Sequence, residues 1–345
     1  FKQKTAYEML RSLVGSEMCI RDRPTPPLVL AQLTPTRIVL PTPDKAAPQE
    51  TYVAREVVVA RVGSGPGEIG VFHGGPELQK AGPESLAVDR EGNIYILDAV
   101  NFRTVVFDSK GGFLRVLPGV TGMDICVDAA GAIYALERLE VAKKFDREGK
   151  LVQEYPVLPG MQAGDISLDA HGYLLASSGF NTILLGTTEE VFTPEQQSAS
   201  KKQGRLCRAG AYSGYFFTSE EEKTKTGSFQ VEVHADELRQ TERRLFALPI
   251  ESDRPLIAIA FFDVDGAGNA YLIVRLQEKV GDDQYILHKE MRKYTPQGQL
   301  IARFLLLRAS YTPSYHGIMV DEGGDVYQLF TSKEEVKVIQ WQRKQ

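Results

Sequence analysis

The sequence is short of cysteine, histidine, tryptophan and long apolar runs, and each scarcity removes a class of protein. Three cysteines in 345 residues, Cys19, Cys126 and Cys207, have neither CxxC nor metal-ligand spacing and are too few for a disulfide framework. The longest apolar runs, such as LIAIAFF at Leu256–Phe262, fall well short of the roughly 18 to 20 residues a membrane-crossing helix needs, so no membrane span is expected. Charge is nearly balanced, 40 basic against 45 acidic side chains, and a formal charge of -5 offers no field to attract phosphate backbones. Nucleic acid is therefore not an expected partner. Basic residues do gather at Lys201, Lys202, Arg205 and Arg208, and at Arg239, Arg243 and Arg244, but Glu220, Glu221 and Glu222 lie between them as on a solvated face. No GxSxG, HExxH or Walker motif occurs, and only His73, His171, His234, His288 and His316 are available as imidazole bases.

What is present is 43% apolar and 25% charged residues, enough to bury a substantial core. The first 50 residues differ from the rest. KTAYEMLRSLVGSEMCIRDR, Lys4 to Arg23, resembles translated adaptor sequence, so residues 1–23 are read as a non-native segment and set aside despite their helical periodicity. Residues 24–50 carry Pro at 24, 26, 27, 35, 41, 43 and 48, which blocks helix and central strand and predicts an extended linker. LVLAQ at Leu28–Gln32 fits the tail of a truncated export signal, which implies an extracytoplasmic (periplasmic or secreted) chain, and equally fits an ordinary Pro-rich arm.

From residue 51 onward, short apolar runs are broken by Asp, Gly and Asn at recurring places. VDREGNIY has Asp89, Gly92 and Tyr95; VDAAGAIY has Asp128, Gly131 and Tyr134; LDAHGYLL keeps Asp169 and Gly172; VDGAGNAY has Asp265, Gly268 and Tyr271; VDEGGDVY has Asp321, Gly324 and Tyr327. Each reads as a strand ending at Asp, a tight turn in which Gly takes positive φ, and a second strand opened by an aromatic residue. The long gap between Asp169 and Asp265 hides one degenerate unit, with GYFFTSEEE, SFQVEVHA and RRLFALP as its strands. Six units of about 40 to 50 residues predict an all-β, six-bladed β-propeller over residues 51–345. The last unit supplies only three strands, so TYVAREVVVARV at Thr51–Val62 is expected to pair with it and close the ring.

GPESLAVDREGNIYILDAVNFRTVVFDSKGGFL, Gly82 to Leu114, resembles an NHL-type repeat. It runs from a Pro-containing start through an apolar-Asp turn and Gly-Asn-apolar-Tyr to an Asp, Asn, Arg segment and a Phe-Asp strand end. FDREGKLVQEY in the second unit and KYTPQGQLIARF in the fifth keep parts of the pattern. The resemblance implies a six-bladed architecture more than any activity, because NHL-like propellers serve as protein-binding, RNA-binding and enzymatic scaffolds.

Several motifs are absorbed by the architecture. GPGEIG at Gly65–Gly70 fits GxGxxG, but VFHGGPELQKAGP after it forms no helix, which makes it a blade-connecting loop. DVDGAGN at Asp263–Asn269 looks like a calcium loop, yet Val274 stands where the closing Glu belongs. Asp98, Asn101 and Arg103 are expected to stabilise a turn within one blade by side-chain to backbone hydrogen bonds and a local ion pair.

The candidate site comes from register. Residues four or five before each turn Asp begin the innermost strands and point at the central channel, which places Glu84, Asp124, Asp165 and His316 around one mouth as candidate ligand-binding residues. They are an oxygen and nitrogen set for a divalent cation or a cationic ligand; a solvated polar channel without any cofactor is the plainer expectation. Two function classes follow. One is a non-catalytic, monomeric binding or scaffold propeller that offers its loop face and channel mouth to a protein, peptide or glycan. The other is a metal-dependent propeller hydrolase or lyase resembling gluconolactonase or streptogramin lyase.

Overall fold

The recurring Asp and Gly build one turn. Asp89, Asp128, Asp169, Asp265 and Asp321 each accept, on Oδ1, the N–H four residues on at 2.8–2.9 Å. The glycine three residues after each Asp has φ between +79° and +88°, a conformation that costs a side chain but not Gly. Where the aromatic is present, its hydroxyl donates to the other carboxylate oxygen, as Tyr95 does to Asp89 at 3.2 Å and Tyr271 to Asp265 at 3.0 Å. Burial and the Asp89 charge push the Tyr95 phenol up to about 12, so it remains a donor. The DVDGAGN segment is this turn, with Asp265 occupied by Ala267, Asn269 and Tyr271.

The computed structural model describes residues 49–344 apart from 76, 170, 179–180, 204, 207–211, 219–228, 238–240, 251–255, 282–283 and 309, and over 203–262 the description is of the backbone. The non-native stretch expected at 1–23, and the expected linker up to residue 48, lie outside the described residues. Strand β1 (Tyr52–Arg61) comes first. The first sheet holds β2 (Ser85–Val88), β3 (Ile94–Asp98), β4 (Arg103–Phe107) and β5 (Phe113–Pro118). The second holds β6 (Asp124–Val127), β7 (Ile133–Glu137), β8 (Val141–Phe145) and β9 (Leu151–Pro156). The third holds β10 (Asp165–Leu168), β11 (Tyr173–Ser178), β12 (Asn181–Thr187) and β13 (Lys202–Gln203), with helix α1 (Pro194–Ala199) between the last two strands. The fourth holds β14 (Arg205–Leu206), β15 (Tyr212–Thr218), β16 (Phe229–Glu237) and β17 (Thr241–Ile250), and the fifth β18 (Leu256–Val264), β19 (Ala270–Lys279), β20 (Tyr285–Tyr294) and β21 (Leu300–Leu305). The last sheet is β22 (Ile318–Val320), β23 (Val326–Thr331), β24 (Glu335–Arg343) and then β1.

These are antiparallel meanders arranged as an all-β propeller. Successive first strands touch, β22 with β2, β2 with β6, β6 with β10 and β18 with β22, and the arc between is bridged by β11 with β14 and β15 with β18. Five of these sheets have described side chains, and the one holding β14–β17 is seen through its backbone ladder. Cores form between neighbouring sheets: Leu97 and Val106 of the first pack with Ile125 and Ile133 of the second, and Tyr134 and Leu136 of the second with Ile166 and Leu174 of the third. Side chains alternate between the two faces of a strand, so both faces of these inner strands are apolar because each meets a sheet.

The pairing expected between the chain's two ends is present. β1 runs antiparallel to β24 from Tyr52 opposite Arg343 to Arg61 opposite Glu335. A bulge between Glu56 and Val58 breaks the alternation, so that consecutive Val57 and Val58 are both buried. A second tie reaches the fifth sheet. The Glu50 N–H donates to the Ile301 carbonyl at 2.8 Å, and the buried Lys293 ammonium donates to the Glu50 carboxylate at 3.0 Å and to the Tyr52 hydroxyl at 3.3 Å.

Candidate functional site

The mouth is built by the residues that begin the inner strands. The N–H groups of Glu84, Met123 and Gly164 donate to the carbonyls of Leu97, Leu136 and Ser177 at 2.7–3.1 Å, which sets three sheets to the same depth. His316 departs from this pattern. Its N–H donates to the Glu84 carbonyl at 2.8 Å and its own carbonyl accepts the Leu86 N–H at 3.3 Å, a parallel bridge that stitches the last sheet to the first.

Asp124 sits at the centre of this convergence. It is fully buried and accepts four hydrogen bonds: from the Ser85 hydroxyl at 2.6 Å, the Ile125 N–H at 2.9 Å, the Ile166 N–H at 2.9 Å and His316 Nδ1 at 3.0 Å. Burial alone would push its carboxyl up, but the His316 charge and the hydrogen bonds outweigh that and hold it below the usual carboxylate range. An ionised Asp124 requires Nδ1 of His316 to be a donor. One carboxylate thereby joins the first, second, third and last sheets.

The other expected residues surround this hub. Glu84 is nearly buried, and that burial pushes its carboxyl up to about 7 against a weaker opposing pull from the Tyr315 N–H. Asp165 opens β10 and is half-buried, next to the Ile166 whose N–H Asp124 accepts. The structure therefore brings Glu84, Asp124, Asp165 and His316 together at one mouth, but in different roles. Among the described residues no group of three or more His, Cys, Asp or Glu side chains is placed to hold a metal ion. Both oxygens of Asp124 are taken by protein groups that tie sheets together. Inner-strand starts of the fourth and fifth sheets fall where only the backbone is described.

Two further participants carry no sequence motif. Ser85 is fully buried against Asp124. Tyr315, 45% exposed, extends from the last sheet's approach so far across the mouth that a Cβ added to Gly164 would meet its hydroxyl at 2.0 Å.

Asp98, Asn101 and Arg103 also act over a longer range than one blade. Asp98 is fully buried and accepts the Gly70 N–H at 3.0 Å, Asn101 Nδ2 at 2.8 Å and Arg103 Nε at 3.0 Å. Asn101 donates onward to the Gly63 carbonyl, and Arg103 to the carbonyls of Ser64, Gly65 and Glu68 at 2.8–3.1 Å. The expected turn is present, with Asp98 capping the 3-10 turn (Ala99–Asn101) and pairing with Arg103, and the same knot also grips the GPGEIG loop that leads from β1 into the first sheet. Among the described residues no helix follows directly on that loop.

No family model matches the chain, and no curated protein matches it. Among solved structures it is similar to a streptogramin B lyase at 12% identity and TM-score 0.42, over 84% of this chain and 98% of that one. It is also similar to a member of the DUF4221 family from Bacteroides vulgatus (10% identity, TM-score 0.45, 86% and 99% of the two chains) and to virginiamycin B lyase from Staphylococcus aureus (9% identity, TM-score 0.43, 84% and 99%). Likenesses at 9–12% identity and TM-scores of 0.42–0.45 carry no activity, ligand or residue role to this chain.

Proposed function

We propose that this chain is a non-catalytic binding module, an NHL-like ring of six blades that offers its channel mouth and the surrounding loops to a protein, peptide or glycan. The supporting observation is where large apolar side chains are left in water. Inner strands start at the mouth and end at the Asp-Gly turns, so the β3–β4 turn, the β19–β20 turn and the loops into β2 and β22 all stand at the mouth end. That end exposes Phe102 (63%) and Leu287 (59%), and also Leu78, Tyr285 and Tyr315. Large apolar side chains left exposed on a loop face are the feature that marks an interaction surface. Glu84, Asp165 and His316 supply the polar contacts; Asp124 holds them in place.

The experiment is a screen of the purified chain against defined peptide and glycan arrays, repeated with Phe102→Ser, Asp165→Asn and, on the opposite end, Phe113→Ser. Loss of a bound probe in the first two variants but not the third supports the module.

One observation favours the second reading, a metal-dependent hydrolase or lyase. Asp124 orients the His316 imidazole through Nδ1 at 3.0 Å, the carboxylate–imidazole pairing by which general-base sites fix their ring. Metal analysis of the purified protein separates the two: a stoichiometric cation lost in Asp165→Asn supports the enzyme.

A further inference from the structure

The segment between Thr312 and Gly317 is held at both ends and tied across the mouth in the middle. At one end the Tyr311 N–H donates to the Thr331 carbonyl at 2.8 Å and the Thr312 N–H to the Thr331 hydroxyl at 2.9 Å. At the other, the Gly317 carbonyl accepts the Leu329 N–H at 2.8 Å. Both anchors are within the last sheet. Between them the ties run to other sheets, His316 backbone to Glu84 and Leu86 of the first and His316 imidazole to Asp124 of the second, and the Tyr315 hydroxyl lies where a side chain on Gly164 of the third would stand.

We propose that residues 313–316 form a strap that closes the channel mouth, with Tyr315 as its latch and Gly164 as the keeper that receives it. The proposal rests on the mouth being the binding site and names how access to it is controlled. Three features carry it. Both ends of the strap are held by the last sheet, yet the Tyr315 hydroxyl reaches the start of the third, which is not that sheet's neighbour along the ring. Its latch is a half-exposed aromatic side chain at the surface, unlike the buried tyrosines that brace the Asp turns. The keeper has no side chain, and any other residue there would occupy the space of the Tyr315 hydroxyl. When the latch lifts, the segment swings on its two anchors, the His316 N–H leaves the Glu84 carbonyl and the Leu86 N–H loses its acceptor, while the ladders behind stay intact. Glu84 and Asp165 then face an open channel.

Hydrogen exchange of the full chain, followed by mass spectrometry on peptides covering 84–87, 312–318 and 94–98, tests this without any ligand. Gly164→Ala drives the hydroxyl out of its seat and Tyr315→Ala removes the latch. Each is expected to raise exchange of the Leu86 and His316 amides by roughly tenfold while the β3 amides stay at the parental rate, the signature of local rather than global opening. Unchanged exchange at 84–87 and 312–318 in both variants overturns the strap, as does a rise shared by β3, which would mean general loosening. A rise in only one variant overturns the pairing of latch and keeper. Failure of the array screen leaves these rates unaffected, so the two ideas fail separately.

Discussion

The two ends of the ring are built on opposite plans. At the turn end, five hairpins use the same carboxylate, the same positive-φ glycine and nearly the same bond lengths. At the mouth end the four sheet starts with described side chains all differ: Glu84 and Ser85, Met123 and Asp124, Gly164 and Asp165, His316 and Gly317 occupy equivalent places. Each blade needs a turn, and one solution serves five of them. The mouth is shared, so its residues are fitted to one another across sheets. Repetition therefore marks what the fold requires of each blade, and divergence marks what the molecule requires only once.

The largest effect expected is from cutting the closure that both ends depend on. Deleting residues 49–61 exposes Val57, Val58, Ala60 and the edge of β24, and each fully buried valine is worth roughly 1.5–3 kcal/mol. Cooperative thermal unfolding, followed by circular dichroism, should disappear; an unchanged melt would mean that β1 does not close the ring.

Next is the shared hub. Asp124→Ala leaves buried donors from three other sheets without an acceptor, a loss of about 3–5 kcal/mol by the measure of broken buried pairs, read as a lower urea midpoint. A cost no larger than that of a single turn Asp would remove the contrast between the two ends.

Glu84→Gln sharpens the comparison through pH. The folded chain holds the Glu84 proton up to about pH 7 whereas the unfolded chain releases it near 4.5, so the parental protein binds the extra proton only when folded. That stabilisation is complete below 4.5 and is lost as pH rises to 7, by roughly 3 kcal/mol at most. Urea midpoints at pH 5 and pH 8 should differ less in the variant than in the parent. An equal difference would place the proton elsewhere.

The smallest effect belongs to the repeated device. Asp128→Ala removes the acceptor for the Ala130 and Ala132 N–H groups and for the Tyr134 hydroxyl, at about 1–2 kcal/mol. Asp89→Ala and Asp321→Ala should cost about the same, since the geometry is the same. Widely unequal values would show that the copies are alike in sequence only.

The turn end was legible in the sequence because its chemistry is local: Asp, Gly and Tyr lie within seven residues of one another in VDREGNIY. β1 was legible as a β-prone segment without a partner, matched to a last unit one strand short. The mouth was legible only as a set of positions. Register placed Glu84, Asp124, Asp165 and His316 at one level, but which of them is saturated depends on Ser85 and Ile166, 39 and 42 residues away from Asp124. Tyr315 has no signal apart from its place beside His316, because its contact with Gly164 exists only once the ring has closed. The reach of Arg103 to Ser64, Gly65 and Glu68 was hidden for the same reason. Helix α1 was legible and passed over: Thr193 caps it, Pro194 begins it, and Gln196 completes a capping box.

The central claim is that the mouth end recognises a partner and the turn end is architecture. Binding of one array-positive peptide or glycan, measured by titration calorimetry against Phe102→Ser, Asp165→Asn and Phe113→Ser, tests it most directly. The account predicts weakened binding in the first two variants, with Phe113→Ser equal to the parent. Equal affinity in all three, or loss only with Phe113→Ser, would contradict it.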